Sequence, residues 1–361
     1  MPVPAVESAA PSPGQVFRAQ LARRLRRERW TNGVIRCAAV AVLAAVAGIP
    51  TFLLVDAGVS SASWAALRPV FVGSLKAAFA AMVVALPLGL FAAAWCARFA
   101  SPATRAWLKP VFELIEAVPA VVLGLVASVT VAPWLARHVV SVAAFAALLP
   151  VALGAVGLAW PSAPAGWRRR ATGYEPWLCV PVIAGVALAA WLIGSGITHA
   201  LGVGEPATPW NLLLVGIVLG LAVMPMLFTL AEDALFAVPA HLTDGALALG
   251  ASRWQALVRL VVPAAAPGLF AAVLLCLSRA LGETMIVLMA SGNTPDATGN
   301  PFVGLRAISA NLALEAPEAV PGSAHYRLLL TSALLLFVLC FILNSVADAV
   351  RVRLRRRLAG L

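Results

Sequence analysis

The stretch DGALALGASRWQALVRLVVP, residues 244–263, is a short amphipathic segment between two long apolar runs. Gly250 divides it, and glycine suits the left-handed backbone that ends a helix. Ser252 and Gln255 follow with the three-residue spacing of a capping box, which starts a helix. Pro263 closes the stretch. The pattern predicts a helix, a sharp turn and a second helix that is too short to cross a membrane.

The second of these helices carries an apolar ridge. Trp254, Leu257, Val258 and Val261 follow the spacing i, i+3, i+4, i+7 and are predicted to share one face. A short helix with such a ridge either lies on the lipid surface or inserts the ridge into a groove of a partner protein. The stretch alone leaves both interpretations open.

The remainder of the chain has the composition of a membrane protein. Of its 361 residues, 62% are hydrophobic and 11% are charged, and the mean hydropathy is +0.94. A membrane-spanning helix needs about 20 mainly apolar residues. Eight runs of that kind are present, at 34–56, 70–97, 111–134, 139–160, 177–200, 210–231, 263–290 and 327–349. We therefore predict an all-α integral membrane protein, a polytopic bundle of eight lipid-embedded transmembrane helices, and exclude a soluble protein.

The net charge of +11 indicates orientation in the membrane and no nucleic-acid partner. Most of the 26 Lys and Arg residues lie in segments that alternate spans place on one side, at 18–36, 98–109, 168–170, 253–259 and 351–357. Under the positive-inside rule that side is the cytoplasm. We predict that both termini are cytoplasmic and that the chain lies in the plasma (inner) membrane of a prokaryote.

Several classes of chemistry find no support in the sequence. The five cysteines and four histidines show neither paired spacing nor a ligand cluster, so we expect no disulfide framework, metal site or cofactor. A P-loop needs a lysine followed by Ser or Thr, whereas Lys76 precedes Ala77 and Lys109 precedes Pro110. We therefore expect that the chain does not hydrolyse ATP and is not an enzyme.

The chain is expected to form one membrane domain over residues 31–361, after a basic, partly disordered cytoplasmic tail over residues 1–30. Two connections are long, 232–262 on the predicted cytoplasmic side and 291–326 on the extracytoplasmic side. The second contains SGNTPDATGNP, a cluster of turn formers. Proline and glycine within several spans predict kinks, which either line a cavity or reflect the frequency of these residues in membrane helices.

The spacing of the quoted stretch resembles the cytoplasmic signature of ABC importer permeases. That signature is EAA, three residues, Gly, nine residues and then I-x-L-P. Here Asp244, Gly245 and Ala246 stand at its start, Gly250 at its glycine and Pro263 at its end. Asp and Gly replace Glu and Ala, and the two aliphatic positions also differ. A glycine inside a helix costs about 1 kcal/mol relative to alanine, so the first short helix is expected to be weakened.

The resemblance implies that residues 232–262 are a coupling loop that contacts a separate ATPase subunit. It assigns to this contact Asp244, Gly245, Ala246, Gly250, Trp254, Leu257, Val258, Val261 and Pro263. It also implies a dimer of ATP-binding ABC subunits, a second homologous permease subunit and an extracytoplasmic binding protein. Because the family usually has six spans, two of the apolar runs would be an inserted pair, within residues 136–208. An inserted pair keeps the coupling loop cytoplasmic.

The stretch SRALGETMIVLMASGN, residues 278–293, is similar to the phosphate permeases of the Pst importer, in particular their C-type subunit. Less specific apolar patterns at 87–99, 112–125 and 322–344 show the same similarity. The resemblance implies phosphate as the substrate and a phosphate-binding protein as the partner. It also implies that Arg279 and Glu283 belong to the translocation path, with Glu113 as a further candidate.

Arg279 and Glu283 are four residues apart, so they are predicted to share one face of the seventh span. Charges at membrane depth are costly and indicate function, and the planar guanidinium of arginine suits a phosphate oxyanion. On this hypothesis Glu283 holds Arg279 until an anion passes; the alternative is a structural ion pair. Glu113 and Glu116 are predicted to open the third span, where a helix N-terminus favours carboxylates.

Three alternatives to a phosphate importer remain. An importer of another oxyanion, molybdate or sulfate, would use the same scaffold. An ATP-independent channel or scaffold would bind no ATPase subunit. A membrane enzyme would need a nucleophile or a metal beside Glu113, Glu116 and Glu283, and the sequence supplies no such cluster.

Overall fold

The structure is a computed structural model. It describes residues 13–56, 61–159, 175–201, 208–296 and 300–358, together with the single residues 162, 164, 166 and 298. Residues 1–12 of the predicted tail and the basic group at 168–170 lie outside the described residues. Residues 13–30 of that tail belong to the first helix.

The described residues are almost entirely helical, which confirms the predicted fold class. In chain order the helices are α1 (Pro13–Asp56), α2 (Ser61–Arg98), α3 (Pro102–Glu116), α4 (Ala120–Val126), α5 (Ala132–Arg137), α6 (Val139–Ala159), α7 (Glu175–Leu201), α8 (Leu212–Phe236), α9 (Ala240–Ala248), α10 (Arg253–Ala256), α11 (Val262–Gly282), α12 (Met285–Ala290), α13 (Ile308–Glu315) and α14 (Ala324–Leu358). π-helical turns at Ala127–Val131 and Leu257–Val261 join α4 to α5 and α10 to α11, and the 3-10 helix Ala316–Glu318 follows α13.

Eight helical stretches of the described residues are long and apolar enough to cross a membrane, which confirms the predicted number. They are Trp30–Asp56, Trp64–Arg98, Ala120–Arg137, Val139–Gly157, Cys179–Ala200, Leu212–Phe236, Arg253–Gly282 and Ala324–Arg353. The chain divides into two compact units, residues 1–57 with α1 and residues 58–361 with the other helices. The predicted inserted pair corresponds to α6 and α7, which pack against each other.

The second unit is built around α2 and α8, which contact each other along much of their length. Small residues let the two backbones approach closely. A Cβ atom at Gly216 would lie 2.9 Å from the Cβ of Ala80, and one at Gly220 would lie 2.7 Å from the carbonyl oxygen of Ala81. In lipid such close packing replaces the hydrophobic force that drives helices together in water. α11 packs against both helices and against α14, which completes the core.

The predicted extracytoplasmic loop folds back onto the second unit. The amide of Ile308, at the start of α13, donates to the buried hydroxyl oxygen of Ser74 in α2 at 2.8 Å. The first four residues of α13 are buried. Turn formers in residues 291–301 indicated only an irregular loop, because hydropathy and turn propensity do not predict an eight-residue helix that docks on a bundle. We call residues 291–326 the far-end segment and the end of the unit on which they lie the far end. The end that carries residues 240–263 is called the motif end.

The third predicted span, 111–134, is wrong at its start. α3 ends at Glu116, and α4 begins at Ala120 directly after Pro119. A proline disfavours helical backbone at the residue before it, which explains the break. Glu113 and Glu116 therefore lie in the last turn of α3 and not at the N-terminus of a membrane-spanning helix, so the helix-dipole argument for these two carboxylates does not apply.

The seventh predicted span, 263–290, is also interrupted. α11 ends at Gly282, and Glu283 has extended backbone with ψ of 125° before α12 begins. The side chains of Arg279 and Glu283 therefore do not share a helix face, and that prediction is wrong. The Ser309 hydroxyl of α13 donates to the carbonyl oxygen of Glu283 at 2.8 Å. The far-end segment thus satisfies a backbone group that the break would otherwise leave unpaired.

A substitution at Gly73 of α2 tests how closely the far-end segment docks on this helix. A Cβ atom at this position would collide with the carbonyl oxygen of Arg306. We expect Gly73→Ala to destabilise the protein by about 1–3 kcal/mol, seen as a lower thermal unfolding temperature in detergent. Gly185→Ala in α7 is the control, because a Cβ there meets nothing within 4 Å. Equal unfolding temperatures for the two variants would contradict the close approach at Gly73.

Candidate functional site

Residues 240–263, the motif segment, form the predicted helix, turn and helix. Gly250, between α9 and α10, has a φ of +89°. The Ser252 hydroxyl oxygen accepts from the amide of Gln255 at 3.2 Å, and the Gln255 side-chain oxygen accepts from the amide of Ser252 at 2.8 Å. The predicted turn and capping box are therefore confirmed.

The predicted apolar ridge of the motif segment is divided between core and surface. Leu257 and Val261 are 3% and 0% exposed and pack in a core cluster with Phe228, whereas Trp254 and Val258 are 59% and 44% exposed. The cause is the π-helical turn at Leu257–Val261, whose wider turns shift the register away from a 3.6-residue period. The prediction of a single shared face is wrong, and two of its residues hold the motif segment to the bundle.

The exposed part of the motif segment includes large apolar side chains. Leu249, at the turn, is 91% exposed and stands beside Gly250. Of the residues that the resemblance assigns to the ATPase contact, those on the surface are Asp244, Gly245, Gly250, Trp254, Val258 and Pro263, and Ala246 is half-buried. Exposed leucine and tryptophan near one turn indicate a surface that a partner covers. The sequence did not predict Leu249 as a contact residue, because it is one of the three unspecified residues that precede the glycine of the signature.

Two of the charged residues, Glu116 and Arg279, lie near Cys276 of α11. The ring of Phe112 in α3 stacks on Phe228 of α8 with centroids 4.0 Å apart. Phe228 lies about 12 Å from the motif end of α8, and Glu116 follows Phe112 by one turn, or about 6 Å. Glu116 and Arg279 are both close enough to the Cys276 thiol for their charges to act on it. Arg279 lies three residues before the end of α11, and Glu116 is the last residue of α3.

The predicted path residues face outward from this chain. Arg279, Glu113 and Glu116 are exposed, and Glu283 is half-buried. Among the described residues, none of these four side chains makes a hydrogen bond or an ion pair within the chain. The predicted pairing of Glu283 with Arg279 is thus not formed in this structure, where the helix that carries Arg279 ends at Gly282. An arginine without such a partner is costly against lipid, so this surface suits water or another protein.

The two broken spans meet beside this group. α4 packs against α12, and a Cβ atom at Gly124 would lie 3.0 Å from the carbonyl oxygen of Met285, the first residue of α12. Helix breaks expose backbone dipoles and half-helix ends. In transporters such irregular backbone occurs where it lines the substrate route. The surface with Arg279 thus lies beside two interrupted helices.

A second charged group is buried at the motif end, and the sequence did not predict it. Glu232 of α8 is 2% exposed. The Cys96 thiol donates to its Oε1 at 3.1 Å, and Arg105 Nε lies 3.9 Å from the same oxygen. A signal was present, because Glu232 follows the predicted sixth run, 210–231, by one residue. Because the predicted run ends at residue 231, the sequence places this glutamate in the predicted connection 232–262.

Polar contacts at the far end hold the folded-back segment in place. Arg306 Nη1 lies 2.8 Å from Glu315 Oε1, and Lys76 Nζ donates to the carbonyl oxygen of Asp296 at 3.1 Å. Hydrogen bonds from Thr298 lower the pKa of the exposed Asp296 carboxyl below its usual range. Across the described residues, no group of three or more His, Cys, Asp or Glu side chains is arranged to hold a metal ion.

The sequence profile of the family described as binding-protein-dependent transport system inner membrane component matches residues 174–359. The chain belongs to this family. Phosphate transport system permease protein PstC 1 of Mycobacterium tuberculosis is 27% identical over 291 residues, 80% of this chain and 72% of that protein. Phosphate transport system permease protein PstC of Mesorhizobium japonicum is 24% identical over 370 residues, 98% of each chain.

A solved structure of the MetNI methionine ABC transporter, titled as inward facing, is also similar. Its matching chain is 15% identical, the alignment covers 85% of this chain and 96% of that chain, and the TM-score is 0.43. The family match extends from α7 through α14 and so includes the motif segment and Arg279. The protein is an ABC importer permease and an integral membrane protein, and the resemblance drawn from the spacing of the motif is confirmed.

The two glycines of the motif segment give opposite predictions for this permease. Gly245 lies inside α9, and a Cβ there meets nothing within 4 Å, so Gly245→Ala is expected to stabilise α9 by about 1 kcal/mol. Gly250 has a left-handed backbone, so Gly250→Ala is expected to destabilise the turn by about 1–2 kcal/mol.

Hydrogen exchange of the α9 amides, followed by mass spectrometry in detergent, measures both effects. Exchange should slow in Gly245→Ala and quicken in Gly250→Ala. A change in the same direction in both variants would contradict the role of Gly250 as the helix-ending residue.

Proposed function

We propose that this permease carries phosphate into the cell, driven by ATP hydrolysis in separate subunits that bind the motif segment. The observation that supports it best is Arg279. This residue is exposed, makes no ion pair among the described residues, and belongs to a chain that is similar to phosphate transport system permease proteins.

Arginine suits the proposed substrate because its planar guanidinium donates two parallel hydrogen bonds to a phosphate oxyanion. The carboxylates nearby, Glu113, Glu116 and Glu283, weaken the attraction. A transport route needs this balance, since an anion must bind well enough to enter and weakly enough to leave. In the proposal a second homologous permease subunit covers the exposed surface and supplies further cationic groups.

The motif segment is the proposed contact with a dimer of ATP-binding subunits. Leu249 and Trp254 are large, apolar and exposed, so they suit insertion into a groove on one subunit of this dimer. The buried Leu257 and Val261 fix the segment to the bundle, and movement of the ATPase would therefore reach the membrane helices. In this proposal the motif end and both termini face the cytoplasm, and an extracytoplasmic phosphate-binding protein delivers its ligand to the far end.

Uptake of labelled phosphate by vesicles that contain the complete transporter tests the substrate. We expect ATP-dependent accumulation, reduced less by excess molybdate or sulfate than by unlabelled phosphate. Arg279→Lys, which keeps the charge but loses the planar fork, should lower uptake by at least about ten-fold, equivalent to about 1.4 kcal/mol. Arg351→Lys, at the motif end of α14, is the matched control. A preference for molybdate would overturn the assignment of phosphate.

Thiol labelling tests the proposed orientation. Ser252→Cys places a thiol at the exposed motif turn, and Val320→Cys places one on the exposed far-end loop, where Val320 is 69% exposed. In intact cells a membrane-impermeant maleimide should label the variant at 320 and should label the variant at 252 only after permeabilisation. The unmodified chain gives the background from its own cysteines. Labelling at 252 from outside would reverse the orientation and remove the ATPase contact.

A further inference from the structure

The buried charged group at the motif end links the motif segment to three membrane helices. Arg98, the last residue of α2, donates through Nη1 to the hydroxyl oxygen of Thr243 in α9 at 3.3 Å. Its Nη2 donates to the carbonyl oxygen of Leu235 in α8 at 2.8 Å. One guanidinium thus bridges the first helix of the motif segment and the ends of α2 and α8.

Arg105 ties α3 into the same group. Its Nη2 donates to the carbonyl oxygens of Cys96 and Ala97 at 2.8 and 3.1 Å, and its guanidinium carbon lies 4.2 Å from the ring centre of Phe236. Glu232 stands between these elements, since it accepts from the Cys96 thiol and faces Arg105. The contact of Arg98 with Thr243 and the contacts among Cys96, Arg105 and Glu232 are adjacent, because both groups include the last turns of α2 and α8. We call these five residues the ionic node.

The ionic node is incompletely satisfied in this arrangement. The Nε atoms of Arg98 and Arg105 are buried and have no hydrogen-bond partner. Arg105 Nε is 3.9 Å from Glu232 Oε1, which is within reach of an ion pair but too long for a hydrogen bond. Buried polar groups are normally paired, so a small shift of α3 towards α8 would complete a bond that is now open. A group that can exist with this hydrogen bond either open or formed can transmit the displacement of one helix to another.

From this geometry we infer that the ionic node is a positioning element that converts displacement of α9 into movement of α2, α3 and α8, with Glu232 as its centre. The inference rests on the proposed coupling to ATPase subunits. An apolar link between α9 and the bundle is made by Leu242, which packs against the core cluster at the motif end. Apolar contacts hold α9 in place, whereas directional hydrogen bonds and charge fix which way the helices move together.

The test uses the complete transporter, purified through a tag on this chain and reconstituted into vesicles. Phosphate uptake and ATP hydrolysis are measured on the same preparation, and their ratio is the readout. Glu232→Gln keeps the shape and an acceptor oxygen for the Cys96 thiol but removes the charge. We expect the ratio of phosphate transported to ATP hydrolysed to fall at least about five-fold, the lower end of usual coupling between sites. Asp233→Asn makes the same change at the exposed neighbour and should leave the ratio unchanged.

A second, milder variant keeps the test decisive if Glu232→Gln does not fold. Thr243→Val removes the hydroxyl that accepts from Arg98 and keeps the side-chain volume, so the transporter should assemble normally. We expect a lower ratio in this variant and a normal ratio in Thr243→Ser, which restores the hydroxyl. A group that only stabilised the fold would lower the yield or the unfolding temperature and would leave the ratio unchanged.

The outcomes separate this inference from the proposed function. A wild-type complex that accumulates phosphate, with ratios in Glu232→Gln and Thr243→Val equal to wild type, would overturn the role of the ionic node and leave the proposed function intact. A wild-type complex that neither accumulates phosphate nor hydrolyses ATP would overturn the proposed function itself. A lowered ratio in both node variants, with normal ratios in Asp233→Asn and Thr243→Ser, supports the inference.

Discussion

The close approach of α2 and α8 is the constraint on which the second unit depends. Gly216 and Gly220 lie one turn apart on α8, and the backbone of α2 occupies the space that larger side chains would need. In lipid, association of helices depends on such contact rather than on exclusion of water. The contact also aligns the motif ends of the two helices, which brings Cys96 of α2 within hydrogen-bond distance of Glu232 of α8. The ionic node therefore depends on packing that begins several turns away.

A second constraint is that backbone groups inside a membrane must be paired. The breaks at residues 117–119 and 283–284 would leave amides and carbonyls exposed in a lipid-facing helix. Here the second break lies against α13, whose Ser309 donates to the carbonyl oxygen of Glu283, while α4 and α12 pack backbone to backbone at Gly124. The far-end segment is thus part of the membrane fold, and its docking allows an interrupted helix to exist next to Arg279.

The sequence predicted the features that composition and spacing determine. The eight spans followed from hydropathy, and the turn of the motif segment followed from Gly250 and from the Ser252 to Gln255 spacing. Hydropathy did not distinguish a continuous helix from two pieces, because it averages over about 19 residues and does not report backbone conformation. Pro119 was a usable signal for the first break. No comparable residue marks the π-helical turn that divided the ridge between Leu257 and Val258.

The site was less predictable because it depends on tertiary contacts. The i, i+4 spacing of Arg279 and Glu283 indicates a shared face only while the helix continues, and the break after Gly282 removes that condition. Glu232 illustrates the opposite case. In any local sequence pattern its charge indicates a position outside the membrane. Contacts with Cys96 and Arg105, which belong to two other helices, offset the cost of burying this charge.

The two charged groups differ in a way that assigns them different tasks. Arg279 is exposed on the surface of the chain, so its partner must come from outside: water, a second subunit or a passing anion. Glu232 is 2% exposed, so its partners are fixed within the chain, and no solute reaches it without opening the bundle. A group that meets a transported ion must be able to exchange partners, whereas a group that transmits movement must keep them. Exposure therefore agrees with the two proposed roles, contact with a transported anion at Arg279 and transmission of movement at Glu232, and α11, which follows the motif segment and carries Arg279, connects the two.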